Sequence, residues 1–123
     1  MDSLILKEFS QKAIIQDSRN RFDVFDGSLD CVPDEIKPFY LGFNPEDVEL
    51  AWKGVSIRFF PARELEQIQE EYAYLNVKFV FASSNSDPVF IDHNGVYTCV
   101  HGTDNPTWEH LADTFEEFLS KLV

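Results

Sequence analysis

Residues 78–102 read KFVFASSNSDPVFIDHNGVYTCVHG, and the punctuation of this stretch decides the fold. Three short runs suited to strands, 77–82, 88–92 and 96–100, are separated by turn chemistry around Asn85 to Asp87 and at Asn94-Gly95. Asn-Gly supplies the positive φ angles of a two-residue hairpin turn, and an Asp before a rigid Pro, as at Asp87-Pro88, accepts local backbone hydrogen bonds. Phe79, Val80, Phe81 and Ala82 are apolar at consecutive positions, which predicts a strand covered on both faces. The same stretch holds Asn85, Asp87, Asp92, His93, Cys99 and His101, so it must also be read for chemistry.

Upstream, Val48, Leu50 and Trp52 alternate with small or polar residues, Lys53-Gly54 turns the chain, and Val55, Ile57 and Phe59 alternate again. Period-two patterning on both sides of a glycine-containing turn is a hairpin signal. Pro61 opens a predicted helix to about residue 75, with Leu65, Ile68, Tyr72 and Leu75 as its apolar stripe and Glu64, Glu66, Glu70 and Glu71 facing water. Asn105-Pro106-Thr107 starts a predicted final helix, which buries Leu111, Phe115, Phe118, Leu119 and Leu122 and turns Glu109, Asp113, Glu116 and Glu117 outward. Towards the N-terminus, residues 3–16 read as a helix capped by Ser3 and burying Ile5, Phe9 and Ile14, residues 17–31 as mostly loop, and residues 33–40 as a short helix stopped by Gly42 and Pro45. Short connections and two hairpins imply α+β: one domain over residues 1–123, mainly an antiparallel sheet with helices packed against it.

The chain of 123 residues is 44% hydrophobic and contains twelve phenylalanines, enough for one core. No apolar run reaches the roughly 20 residues of a membrane span, and the N-terminus lacks a basic, cleavable leader pattern, so a cytoplasmic location is expected. Cys31 and Cys99 are too few for a disulfide scaffold. Net charge is −12, divided as eleven acids against seven bases in residues 1–61 and eleven against three in residues 62–123. Such a field disfavours nucleic acid and anionic membranes and speeds encounter with a basic protein; an acidic surface also serves plain solubility.

Cys99 and His101 lie two apart in a predicted strand and point the same way, with His93 and His110 near enough in sequence to complete a zinc site. The spacing matches no established zinc pattern, so Cys99 reads as a core thiol and no metal or other cofactor is expected. Ser83, Ser84 and Cys99 could act as nucleophiles beside His93, His101 or His110, but no nucleophile elbow or phosphate-cradling glycine loop accompanies them. Glu70-Glu71 and Glu116-Glu117 are adjacent on helices, so their carboxylates diverge. Asp87, Asp92 and Asn94 lack calcium-loop spacing. The reading is a non-enzymatic chain in which most of these residues turn the backbone; Trp52 and Trp108, if exposed, would be interface anchors.

The order Pro33-x-x-Ile36-x-x-Phe39-Tyr40, Ile57, Pro61-x-x-Glu64-Leu65, Asn85-x-Asp87-Pro88-x-Phe90, Asn94-Gly95 and Leu111-Ala112-x-Thr114-Phe115-x-x-Phe118-Leu119 resembles the SUKH superfamily, which includes Smi/Knr-type domains and many bacterial immunity proteins. The resemblance spans about residues 32–122. It implies a domain that binds a protein without catalysis, in bacteria often an immunity protein that neutralises a cognate toxin, frequently a nuclease. The charge fits, because a nuclease must be basic to hold nucleic acid. Charge and expected exposure then nominate Glu66, Glu70, Glu71, Asp87, Asp92, Asp104, Glu109 and Asp113 as partner-binding residues; the resemblance marks none of them. The alternatives are a regulatory or scaffold domain of the same fold that binds a non-toxin protein, and a metal-dependent enzyme using Cys99.

Overall fold

A computed structural model describes residues 1–93 and 95–123. The hairpin predicted around Lys53-Gly54 forms the centre of the sheet's first half: β2 (Asn44–Trp52) and β3 (Val55–Phe59) pair Val48 with Phe59, Leu50 with Ile57 and Trp52 with Val55. Lys53 and Gly54 have φ of 48° and 81°, the two-positive pattern of a I′ turn, whose twist matches that of the strands it joins. The opening stretch supplies β4 (Phe79–Ser84), β5 (Asp87–Asp92) and β6 (Gly95–Thr98). A second positive-φ pair, Asn85 at 50° and Ser86 at 69°, turns β4 into β5. The turn predicted at Asn94-Gly95 falls partly on Asn94, which lies outside the described residues, but β5 and β6 do pair antiparallel on either side of it.

With β1 (Arg21–Asp23) and β7 (Glu109–Ala112) the sheet has seven strands in sequence order, every neighbouring pair antiparallel. α1 (Ser3–Gln16), α2 (Lys37–Phe43) and α4 (Phe115–Leu122) pack on one face. There Phe9, Phe39, Phe59, Phe81, Phe115 and Phe118 interlock, with neighbouring ring centroids 5.0–6.2 Å apart. Tilted and edge-on pairs of this kind add to the burial term. The fold is therefore α+β with helices on an antiparallel sheet, as the sequence implies. No helix among the described residues is long and apolar enough to cross a membrane.

α3 (Leu65–Glu71), flanked by 3-10 turns at Ala62–Glu64 and Ala73–Leu75, lies beside β4 where β3 has already ended. Its Gln69 stands in for the missing strand: Oε1 accepts from Val80 N at 2.8 Å, and Nε2 donates to Val80 O at 2.7 Å. The ladder thus continues through a side chain, and buried backbone groups of β4 are satisfied.

Several local expectations are corrected. Asp2, not Ser3, caps α1, accepting from Leu4 N at 2.8 Å. The buried stripe of α1 is Leu6, Phe9 and Ala13, spaced by three and four; Ile5 is half-buried and Ile14 is exposed. Residues 17–31 contain β1, and Gly42 lies within α2 rather than ending it. The final helix begins at Phe115, because Thr114, in extended conformation, accepts from Glu117 N through its hydroxyl. Residues 109–112, read as helix, are the edge strand β7, so Glu109 and Asp113 do not lie on a helix face.

Tyr40 is wholly buried between Phe39 and Phe79, and its hydroxyl meets no hydrogen-bond partner among the described residues. Burial, and then the nearby Cys31, push its ionisation far above the ordinary tyrosine value. Removing a buried, unpaired hydroxyl removes its desolvation cost. Tyr40→Phe should therefore raise stability by about 1 kcal/mol in urea unfolding; a loss of that size would mean the hydroxyl is engaged in the native state.

Candidate protein-binding surface

The chemistry-bearing residues of 78–102 serve the backbone. Asp87 pairs with Ser84 at the start of β5, and its Oδ1 accepts from His101 N at 3.0 Å and lies 2.6 Å from His101 Nδ1. It thus anchors a distant loop rather than the local turn the sequence suggested. Tyr74 Oη accepts from Gly102 N at 3.0 Å and holds the same loop. His93 Nδ1 lies 2.9 Å from Asp92 Oδ1, and His110 Nε2 lies 3.0 Å from Asp113 Oδ1. Each histidine thus has its own aspartate, and no group of three His, Cys, Asp or Glu side chains able to hold a metal converges among the described residues. Burial, then the neighbouring Asp87, push the buried Cys99 thiol up. Cys31, which is exposed, is also pushed up, by partial burial first and then by Glu66 and Asp30. Both shifts favour the protonated thiol over the nucleophilic thiolate.

The eight nominated carboxylates do not form one cluster. Asp87 and Asp92 stand at opposite ends of β5, five residues or roughly 17 Å apart along an extended strand. Asp92 has only 13% of its side chain exposed and accepts from Lys78 N at 3.1 Å, so it is used internally. Asp104 is exposed in the loop before β7. Glu109 lies 3.9 Å from Lys53 and, with Asp87, Trp52 and Val55, lines a groove of about 250 Å³. Asp113 lies between β7 and α4, against His110. Glu66, Glu70 and Glu71 project from α3, and among the described residues none has a cationic side chain within 4.0 Å. Glu66 also borders a cleft of about 520 Å³, together with Phe25, Asp30, Cys31 and Arg63.

Distribution of the cations gives the surface its direction. From residue 79 to residue 120 there is no Lys or Arg, against seven acids: Asp87, Asp92, Asp104, Glu109, Asp113, Glu116 and Glu117. This run makes β4 to β7 and most of α4, so one half of the sheet brings only negative formal charge. Dividing the chain at its midpoint blurs this gap, and a count of consecutive cation-free residues would have found it. Elsewhere Arg19, Arg21, Lys37, Arg58, Arg63 and Lys78 each lie within 4.0 Å of a carboxylate outside the run, whereas Lys53 and Lys121 lie within 4.0 Å of Glu109 and Glu117 in it.

Hydrogen bonds from cations hold four carboxyls below their ordinary values. Arg19 lowers Asp17 to about 2, and Lys37, Lys78 and Lys121 lower Asp34, Glu35 and Glu117. A folded pKa below the unfolded one contributes stability that is complete above the unfolded value and lost as pH falls through the folded value. These contributions should therefore hold above the ordinary values of 3.8 and 4.5 and drain away below them, for Asp17 down to about 2. Arg19→Gln should flatten the loss of thermal stability between pH 4 and 2, and an unchanged acid limb would contradict the assignment.

Comparison with known proteins returned no matching family model, no matching curated protein and no matching solved structure.

Proposed function

We propose that this chain is a non-enzymatic protein-binding domain acting in the cytoplasm, an immunity protein of the SUKH type that neutralises a cognate toxin by direct contact. The partner is a basic protein domain, with a nuclease as the best fit. The observation that supports this reading is the cation-free run of residues 79–120, which carries seven acids and no Lys or Arg of its own; Lys53 and Lys121 reach in only to Glu109 and Glu117. A domain that must grip phosphates presents Lys and Arg, and such a surface complements this one in sign. The SUKH resemblance supports the same reading from the order of its motifs. Affinity purification of the tagged chain from its own cells, followed by mass spectrometry and an assay of the captured protein, provides the test. Recovery of a stoichiometric basic protein whose toxic activity stops in the complex is expected. Recovery of no specific basic protein would overturn the proposal.

A further inference from the structure

We propose that Trp108, with Tyr97 and His110 beside it, is the platform on which this domain seats an arginine or lysine side chain of its partner. The inference rests on the reading that the partner is basic and adds the place and manner of contact. Phe90 and Tyr97 are cross-strand partners on β5 and β6, stacked at 6.0 Å and 25°. Trp108 stands edge-on to Phe90 at 5.0 Å and lies 5.5 Å from Tyr97; Tyr97 in turn meets the His110 ring at 5.5 Å. Exposure rises outward across this set: Phe90 is fully buried, Tyr97 is half-buried, and Trp108 is 39% exposed. A Cβ on Gly95 would come within 2.9 Å of the Tyr97 ring, so the platform depends on the bare backbone beneath it.

The domain's own cations occupy other rings and leave this one free. Lys53 Nζ lies 5.1 Å from the Trp52 ring and Arg58 Cζ lies 5.8 Å from that of Phe60. Among the described residues no Lys or Arg stacks on Trp108, and residues 79–120 contain none to supply one. An indole face is the strongest natural cation–π acceptor, and Asp113, 3.0 Å from His110 at the edge of this set, adds a carboxylate for the same cation. A partly exposed indole over a buried aromatic floor, with an aspartate at its edge, is complementary to an arginine or lysine in both shape and charge.

The test uses an octa-arginine peptide, with octa-serine as control, titrated into the full chain at low salt. In a Trp52→Phe background the fluorescence reports Trp108 alone, and calorimetry gives the affinity. The expected result is a change in Trp108 emission, about fivefold weaker binding for Trp108→Ala, and most of the affinity retained by Trp108→Phe. Glu66→Gln with Glu70→Gln, which removes charge from α3, should change binding less than twofold. Should Trp108→Ala fail to fold, Trp108→Met fills the space without a ring and carries the same expectation. If octa-arginine binds but Trp108→Ala binds equally well, the platform is overturned and the basic-partner reading stands. Octa-serine binding as tightly as octa-arginine would make the site apolar and also overturn the platform. Failure of octa-arginine to bind overturns both.

Discussion

Phe81→Ala is expected to lower the unfolding free energy by about 3–5 kcal/mol, the range for removing a fully buried phenylalanine ring. The side chain is 0% exposed and lies where the sheet meets α4, with centroids 5.8 Å from Phe59, 5.0 Å from Phe115 and 5.7 Å from Phe118. Its backbone is fixed as well: the β4–β5 register shifts between Val80 and Ala82, and Phe81 O accepts from Phe60 N at 3.0 Å. Because strand and helix are held independently of the ring, they cannot close on the space it leaves, and the cavity cost adds to the lost transfer energy. A domain of this size has about 5–15 kcal/mol of stability, so the variant should lie near the edge of folding. Urea unfolding with an unchanged m-value would establish that the loss is energetic; a cost below about 1.5 kcal/mol would mean the core relaxes into the gap. Ile15→Ala, at a position 84% exposed on α1, should by contrast change stability by less than about 0.5 kcal/mol.

The parts of the fold legible in the sequence are those where a local pattern and its tertiary use coincide. The alternation around Lys53-Gly54 sets both hairpin register and buried face, and the continuous apolar run at Phe79 to Ala82 marks a covered strand. β7 was hidden because Pro106 and the acids after it imitate a helix start, whereas the cap that acts is Thr114, immediately before the amphipathic turns. In Glu109 to Ala112, pairing with β6 outweighs helix propensity, which is a weak prior when a sheet edge is available. β1 carries no apolar alternation of its own. It is fixed by contacts that no spacing reveals: Asn20 bridges Ala13 O and Glu49 N, tying the end of α1 to β2 just before the strand begins. The candidate surface shows the same division. Acid positions could be read, but whether a carboxylate is free could not, since Asp87 and Asp92 are taken by groups that only the fold brings near. Trp108 is the converse case, because its exposure depends on the loop before β7 lying over Phe90.

Association with a basic partner should have a rate constant that falls about 100-fold between very low salt and 0.5 M, while dissociation changes much less. Surface ion pairs shorten local fields but leave the excess of 22 acids over 10 bases, and it is this excess that a partner meets beyond a few ångströms. The field is also directional: residues 79–120 carry seven of those acids and no Lys or Arg, so attraction should be strongest towards that half of the sheet. Asp104→Asn, Glu109→Gln and Asp113→Asn together should therefore slow association more than the loss of three charges at Asp2, Glu8 and Asp47, although both triples change net charge equally. Trp108→Ala should act on the other constant, because a stacked cation is lost after encounter rather than during approach. Stopped-flow measurement over a salt series separates these effects. An association rate indifferent to salt would reduce the charge to a solubility device, and equal slowing by the two triples would remove the direction from the field. If rate follows the acids while residence follows the indole, the same half-sheet both draws the partner in and holds it.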